Sequence, residues 1–88
     1  MKIKEGYLLR EVAGSSVVIP LGKSSLDFNG MITLSETGAF LWKKLEQGAD
    51  ESALVAALLE EYDIDEATAK SDINSFIEKL RSAELVTE

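Results

Sequence analysis

The chain contains no cysteine and no histidine among its 88 residues. Without cysteine it can form no disulfide, no thiolate metal site and no cysteine nucleophile. Without histidine it lacks the commonest general base and the commonest metal ligand. The serine pairs Ser15-Ser16 and Ser24-Ser25 therefore have no histidine to activate them as nucleophiles. We expect a protein that is not an enzyme and holds no metal or cofactor.

Long apolar runs are also absent from the sequence. No run approaches the roughly 18 residues that a membrane span requires, and the N-terminal residues do not have the pattern of a signal peptide. The length is that of one small domain, which we expect to occupy residues 1–88. We therefore expect a protein of the cytoplasm that does not contact a membrane.

Positive charge is scarce in the second half of the chain. Residues 1–44 carry six basic and four acidic residues, whereas residues 45–88 carry three basic and twelve acidic residues. A nucleic-acid binder needs clustered lysine and arginine to displace counterions from phosphates. The acidic half would repel phosphate, so the charge favours a protein or peptide as the partner. The dense carboxylates of residues 60–66 lack the ligand order of a calcium loop and indicate a solvated helix end.

Three segments in the first half have the apolar and β-branched pattern of strands: residues 7–12, 16–20 and 27–34. Gly14 predicts a turn between the first two strands. Pro20 restricts the second strand to an end or an edge position because proline cannot donate a ladder hydrogen bond. Asn29-Gly30 predicts a turn or a bulge within the third strand.

Three amphipathic helices are predicted after the strands. Ser35 can cap the first helix, which runs to about Gln47 and stops at Gly48, while Asp50 and Asp65 can cap the second and third. At helical spacing the apolar faces comprise Gly38, Leu41, Trp42 and Leu45; then Leu54, Val55, Leu58, Leu59 and Tyr62; then Ala69, Ile73, Phe76, Ile77 and Leu80. Residues 85–86 predict a short last strand. This order predicts the α+β class, as a three-stranded antiparallel sheet followed by three helices.

Two aromatic residues have alternative interpretations. Trp42 shares its face with Leu41 and Leu45, so we expect it in the core, although a tryptophan can also serve as a stacking platform. Phe28 in the third strand is compatible with either the core or a pocket for a partner.

The segment from Asp27 to Trp42 reads DFNGMITLSETGAFLW, in which a strand pattern changes to a helix pattern within two residues. This segment resembles the central signature of the PqqD-like family. The family comprises the pyrroloquinoline quinone biosynthesis chaperone and the peptide-recognition elements of ribosomally made, modified peptides. The chain departs from the family pattern at Ser35, where asparagine is usual, and at Glu84, where glycine often ends the last helix.

The resemblance implies a small winged-helix-like domain that binds a leader peptide between its third strand and third helix. The peptide would add to the exposed strand by β-augmentation and be presented to a modifying enzyme, often a radical-SAM maturase. On the strand, the candidate peptide-binding residues are Phe28, Met31, Ile32 and Thr33.

A second stripe flanks the core face of the third helix and is partly basic: Lys70, Asn74, Ile77 and Arg81. In one interpretation it is an ordinary solvated flank, with Lys70 and Arg81 paired to nearby carboxylates. In the other, which the resemblance favours, Ile77 contacts apolar side chains of the peptide and the two basic residues meet its acidic side chains.

Two other functions fit the same pattern of elements. A winged-helix DNA-binding regulator also combines three helices with a small sheet, but it predicts a basic recognition helix, and no helix here is basic overall. A generic adaptor would use the same strand edge to dimerise or to inhibit a partner enzyme.

Overall fold

The computed structural model describes residues 1–21 and 32–87. Phe28, Met31 and the first part of the predicted third strand lie outside these ranges. The described residues form five strands and three helices: β1 (Lys2–Ile3), β2 (Tyr7–Val12), β3 (Ser15–Pro20), β4 (Ile32–Leu34), α1 (Glu36–Glu46), α2 (Glu51–Glu61), α3 (Glu66–Ser82) and β5 (Val86–Thr87). Strands β2, β3 and β4 form an antiparallel sheet in that order. The predicted α+β class, with a three-stranded sheet followed by three helices, is confirmed.

A two-residue turn joins β2 to β3. Its residues, Ala13 and Gly14, have φ angles of 51° and 82°, which is the pattern of a type I′ turn. The turn is closed by the pair Val12 and Ser15. In a two-residue hairpin this closing pair is hydrogen-bonded, and the direction of the main-chain groups alternates from there along β3. Ser16 and Val18 therefore direct their main-chain groups towards β4.

All three predicted helix caps are present. The Ser35 hydroxyl accepts a hydrogen bond from the Gly38 N–H at 3.1 Å. The Asp50 and Asp65 carboxylates accept from the N–H groups three residues later, at 2.8 and 2.7 Å. Each cap satisfies a donor that the first helical turn leaves without an intrahelical partner.

The core lies between the inner face of the sheet and the three helices. Its largest fully buried side chains are Trp42, Leu41, Leu45, Leu54, Leu58, Ile73, Leu80, Leu85 and Val18. Trp42 has 0% exposure, which confirms it as a core residue. Leu59 was predicted on the buried face of α2 but is 37% exposed, because it lies about 100° around the helix from Leu58 and at the margin of the apolar stripe.

The two ends of the chain pair with each other, which the sequence did not predict. Strand β1 pairs with β5, with Ile3 opposite Val86, and the Lys4 N–H donates to the Leu85 carbonyl at 2.8 Å. The predicted strand at residues 85–86 is present one residue later, at Val86–Thr87. This small sheet holds the C-terminal end of α3 against the N-terminus of the chain.

Helix α3 ends in a left-handed turn at Glu84, whose φ is 57°. The Glu84 N–H donates to the Arg81 carbonyl, and the Leu85 N–H donates to the Leu80 carbonyl at 2.9 Å. This pair of bonds is the Schellman motif, in which glycine is the usual residue at the left-handed position. Helix α3 therefore ends in a Schellman motif with Glu84, in place of the usual glycine, at the left-handed position.

Candidate functional site

Strand β4 is an edge of the three-stranded sheet, since no strand in the described ranges pairs with its outer side. Leu34 lies opposite Ser16, Ile32 opposite Val18, and Thr33 opposite Val17. Ser16 and Val18 direct their hydrogen-bonding groups towards β4, so the pairs on either side of Thr33 are the hydrogen-bonded ones. The N–H and C=O of Thr33 consequently point away from the sheet, towards the open edge.

A contact from α3 supports this orientation independently. The Lys79 ammonium donates a hydrogen bond to the Thr33 carbonyl oxygen at 3.3 Å. Lys79 is exposed on α3, so the carbonyl that it reaches must be directed towards that helix. The bond joins the open edge of β4 to α3 across the space between them.

A groove of about 310 Å³ lies between β4, α1 and α3, and we name it the β4–α3 groove. Its lining includes the buried residues Leu34, Gly38, Leu41 and Phe76. Exposed polar residues of α3 also line it: Asp72, Ser75 and Lys79. An apolar floor between polar rims is the arrangement that binds an amphipathic segment with defined orientation.

Gly38 permits the close packing beneath this groove. A Cβ added to Gly38 would lie 3.3 Å from the Ser35 Oγ, 3.4 Å from the Leu34 Cβ and 3.5 Å from a ring carbon of Phe76. A glycine here lets the start of α1 approach both β4 and α3 without displacing the Ser35 cap. Gly38 of the signature segment therefore has a packing role at the base of the groove.

The structure places the basic stripe of α3 on the side of the helix that faces α2. Lys70 and Asn74 do not border β4, because they line a separate groove of about 560 Å³ with Val55 and Leu59 of α2. Ile77 has 4% exposure and belongs to the core. The buried face of α3 has two flanks, and this stripe lies on the flank opposite β4. Its contact with a peptide stays a prediction.

The charged members of that stripe are paired within their own helix. The Lys70 Nζ lies 3.5 Å from the Glu66 Oε1. The Arg81 Nη1 lies 3.5 Å from the Glu78 Oε1. This is the arrangement of the solvated-flank interpretation, in which both basic residues meet nearby carboxylates.

The flank of α3 that does border β4 was missed by the sequence analysis. Asp72, Ser75, Phe76 and Lys79 line the β4–α3 groove, and their spacing of i, i+3, i+4 and i+7 places them on one side of a helix. The same periodicity could have identified this flank. Only one of its four residues is basic, so charge does not distinguish this flank from an ordinary solvated one.

A third groove of about 710 Å³ lies between the β2–β3 hairpin and α1, with Phe40 and Tyr62 in its lining. The two rings meet edge to face at 5.6 Å. Burial, followed by the carboxylates of Glu36 and Glu61, raises the pKa of the Tyr62 phenol above 10.0, against an opposing hydrogen bond with Thr37. The phenol is therefore protonated at neutral pH and is no general base. Within residues 1–21 and 32–87, no three carboxylates converge on a possible metal site.

The fold matches solved structures over nearly its whole length. TbiB1 in complex with the TbiA(beta) leader peptide superposes with a TM-score of 0.76 at 26% identity, covering 97% of this chain and 93% of that chain. Lasso peptide synthetase B1 complexed with the leader peptide gives a TM-score of 0.75 at 15% identity, covering 99% and 96%, and supports the fold alone. A comparison with curated proteins gave no match. Residues 16–86 match the family described as coenzyme PQQ synthesis protein D, and the chain therefore belongs to the PqqD family.

Proposed function

We propose that this protein captures the leader of a ribosomally made precursor peptide by β-augmentation and presents it to a modifying enzyme. The observation that carries the proposal is the outward-facing main chain of Thr33 at the open edge of β4, beside an apolar groove. Membership of the PqqD family and the similarity to TbiB1, which is bound to a leader peptide, support the same function.

The proposed binding mode follows from the geometry of the edge. An extended peptide satisfies the N–H and C=O of Thr33, and these main-chain bonds supply affinity that depends little on sequence. Side chains alternate along the peptide, so every second one points towards the β4–α3 groove. The apolar floor of the groove at Leu34 and Phe76 then selects apolar side chains at those positions. Ile32 of β4, half-buried in the free protein, lies next to the added strand.

The chain would carry out no chemistry on the bound peptide. It has no cysteine or histidine to act as nucleophile, base or metal ligand. Its contribution is to raise the local concentration of the peptide at the modifying enzyme, for which we propose a radical-SAM maturase. We place this activity in the cytoplasm. In the described ranges no helix has the length and apolar character needed to cross a bilayer.

The composition of α3 supports a peptide over DNA as the partner. A winged-helix regulator inserts a basic helix into the major groove. Helix α3 carries as many acidic as basic residues: Glu66, Asp72 and Glu78 against Lys70, Lys79 and Arg81. It therefore has no net charge with which to displace counterions from DNA.

The decisive experiment is a calorimetric titration with the leader of the short precursor peptide encoded nearest to this gene. A scrambled leader of the same composition is the control. Hydrogen exchange on the same complex should show slower exchange of the Thr33 amide, since the peptide would accept its N–H. No heat of binding, or binding that leaves the β4 amides unprotected, would contradict the proposal.

A further inference from the structure

We propose that Lys79 has two roles at the open edge of β4. In the peptide-free protein it guards the edge, which means that its ammonium occupies the Thr33 carbonyl oxygen. When a peptide displaces it from that oxygen, it selects peptides that carry a carboxylate with which it can pair. This inference rests on the proposed function and adds a specificity-determining residue to it. Its starting observation is the hydrogen bond from the Lys79 Nζ to the Thr33 carbonyl oxygen at 3.3 Å.

The guard follows from the position of the Thr33 carbonyl. Among the three residues of β4, Thr33 is the one whose main chain faces the open edge, so an added strand needs this acceptor for its first hydrogen bond. The Lys79 ammonium already occupies it. A lysine at an edge is also a known means of discouraging strand-to-strand association between copies of a protein. A peptide must therefore displace Lys79 or share the carbonyl with it.

The preference for a peptide carboxylate follows from the absence of acidic residues one helical turn from Lys79 on α3. The residues one turn before and after it are Ser75, Phe76, Ser82 and Ala83, none of which is acidic. Across the described part of the chain, no carboxylate forms an ion pair with Lys79, whereas Lys70 and Arg81 each have one. Once displaced from Thr33, the ammonium would lie beside the peptide without a partner. A carboxylate on the peptide would restore a charge-assisted hydrogen bond.

The same geometry restricts where this carboxylate lies. Side chains next to the peptide residue opposite Thr33 point to the helix side of the sheet, as Ile32 and Leu34 do on either side of Thr33. Asp72 lines the β4–α3 groove seven residues from Lys79, which is about 10 Å along the helix. An acidic side chain near Asp72 would be repelled. The groove therefore favours one acidic residue at the Lys79 end over a generally acidic peptide.

The test is a selection of phage-displayed random ten-residue peptides on the wild-type protein, Lys79→Met and Lys70→Met. Lys70→Met is the matched control because it removes the same charge from the opposite flank of α3. The wild type and Lys70→Met should enrich aspartate or glutamate at one fixed position. Lys79→Met should keep the apolar pattern and lose the acidic position. Acidic enrichment that persists in Lys79→Met, or is absent from the wild type, would overturn the inference.

The affinities of one enriched peptide and of its Glu→Gln analogue test the two roles of Lys79 separately: occupation of the Thr33 carbonyl and preference for an acidic residue. The wild type should bind the analogue about two- to fivefold more weakly, the range expected of an exposed ion pair, and Lys79→Met should bind both alike. Because its edge is open, Lys79→Met should bind the analogue more tightly than the wild type does. Weaker binding of the analogue by Lys79→Met than by the wild type would contradict the claim that Lys79 hinders strand addition.

Two further comparisons distinguish failure of this inference from misfolding of a variant and from failure of the proposed function. Lys79→Gln removes the charge and keeps a polar side chain one bond shorter than lysine, so it should lose the acidic preference as Lys79→Met does. It also replaces Lys79→Met if that variant fails to fold. Failure of all three proteins in the selection to enrich any peptide would overturn the proposed function as well. Enriched peptides without an acidic position would overturn this inference alone.

Discussion

Thr33 of β4 lies directly opposite Val17 of β3 in a pair that is not hydrogen-bonded, so its main chain faces the open edge of the sheet. The Thr33→Pro substitution should therefore remove a donor that no strand of the described residues uses and that the proposed peptide would use. We expect weaker peptide binding with nearly unchanged stability, because proline is tolerated where its missing N–H faces solvent. Calorimetric titration and urea unfolding would measure the two effects.

The neighbouring substitution Ile32→Pro is the matched control. The Ile32 N–H points towards Val18 in the sheet, so its loss leaves a ladder acceptor unsatisfied and should destabilise the fold by about 1–3 kcal/mol. Equal effects of the two proline variants on stability would contradict the assigned phase of β4.

Trp42 should be essential for stability. It is fully buried, and Trp42→Ala should lower the free energy of unfolding by about 3–5 kcal/mol. Trp42→Phe should cost less, since it leaves a smaller cavity and removes the buried Nε1–H, which has no hydrogen-bond partner among the described residues. Chemical unfolding followed by circular dichroism would measure both. An alanine variant of wild-type stability that has lost only peptide binding would show that Trp42 is a ligand platform.

Ile77 should matter for stability and its exposed neighbours should not. Ile77→Ala empties a core position and should cost about 2–5 kcal/mol. The double variant Lys70→Glu with Arg81→Glu breaks two exposed ion pairs and should cost less than about 1 kcal/mol. It should also leave the affinity for a peptide bound at β4 nearly unchanged. A loss of affinity for an acidic leader that shrinks with added salt would instead establish the stripe around Asn74 as a binding surface.

The helix cap at Asp65 should make the stability of the protein depend on pH in the acid range. Hydrogen bonds from the Thr68 side chain and N–H lower the pKa of the Asp65 carboxyl below its ordinary value of 3.8. A lowered pKa in the folded state means that the stabilisation is present above the ordinary pKa and is lost as the pH falls through the lowered one. The stability difference between wild type and Asp65→Ala should therefore shrink in that window.

Asp65→Asn tests the assignment to ionisation, since asparagine also caps a helix but does not titrate. Its advantage over Asp65→Ala should be independent of pH. Thermal unfolding of the three proteins across the acid range would measure both differences. A constant difference between wild type and Asp65→Ala at all pH values would contradict the prediction.

Glu84→Gly should stabilise the protein. Glu84 occupies a left-handed backbone conformation with φ of 57°, which strains a residue with a Cβ and not glycine. Glycine also has more conformational entropy in the unfolded chain, which offsets part of this relief. We therefore expect the free energy of unfolding to rise by about 0.5–1 kcal/mol. Ala83→Gly is the control: Ala83 has φ of −91°, so glycine relieves nothing there and should destabilise. Urea unfolding of both variants would decide, and a loss of stability in Glu84→Gly would contradict the Schellman assignment.

Local features of this fold were predictable because their causes lie within a few residues. The caps at Ser35, Asp50 and Asp65 each join a side chain to an N–H three residues later. The buried stripe of each helix follows from its 3.6-residue period. At the margin of the α2 stripe the prediction was wrong, since Leu59 is exposed where burial was predicted.

The tertiary structure alone decided which side of α3 borders the open edge of β4. Periodicity identifies a buried stripe with two flanks, but it cannot say which flank a distant strand packs against. Lys79 reaches Thr33 over 46 positions in the sequence, and Ile3 meets Val86 through the pairing of the chain ends. Such contacts depend on how the helices dock against the sheet. The sequence by itself therefore determined the three helices with their caps and most of the core, whereas the packing of α3 on the sheet determined that Lys79, and not Lys70 or Arg81, lies at the open edge.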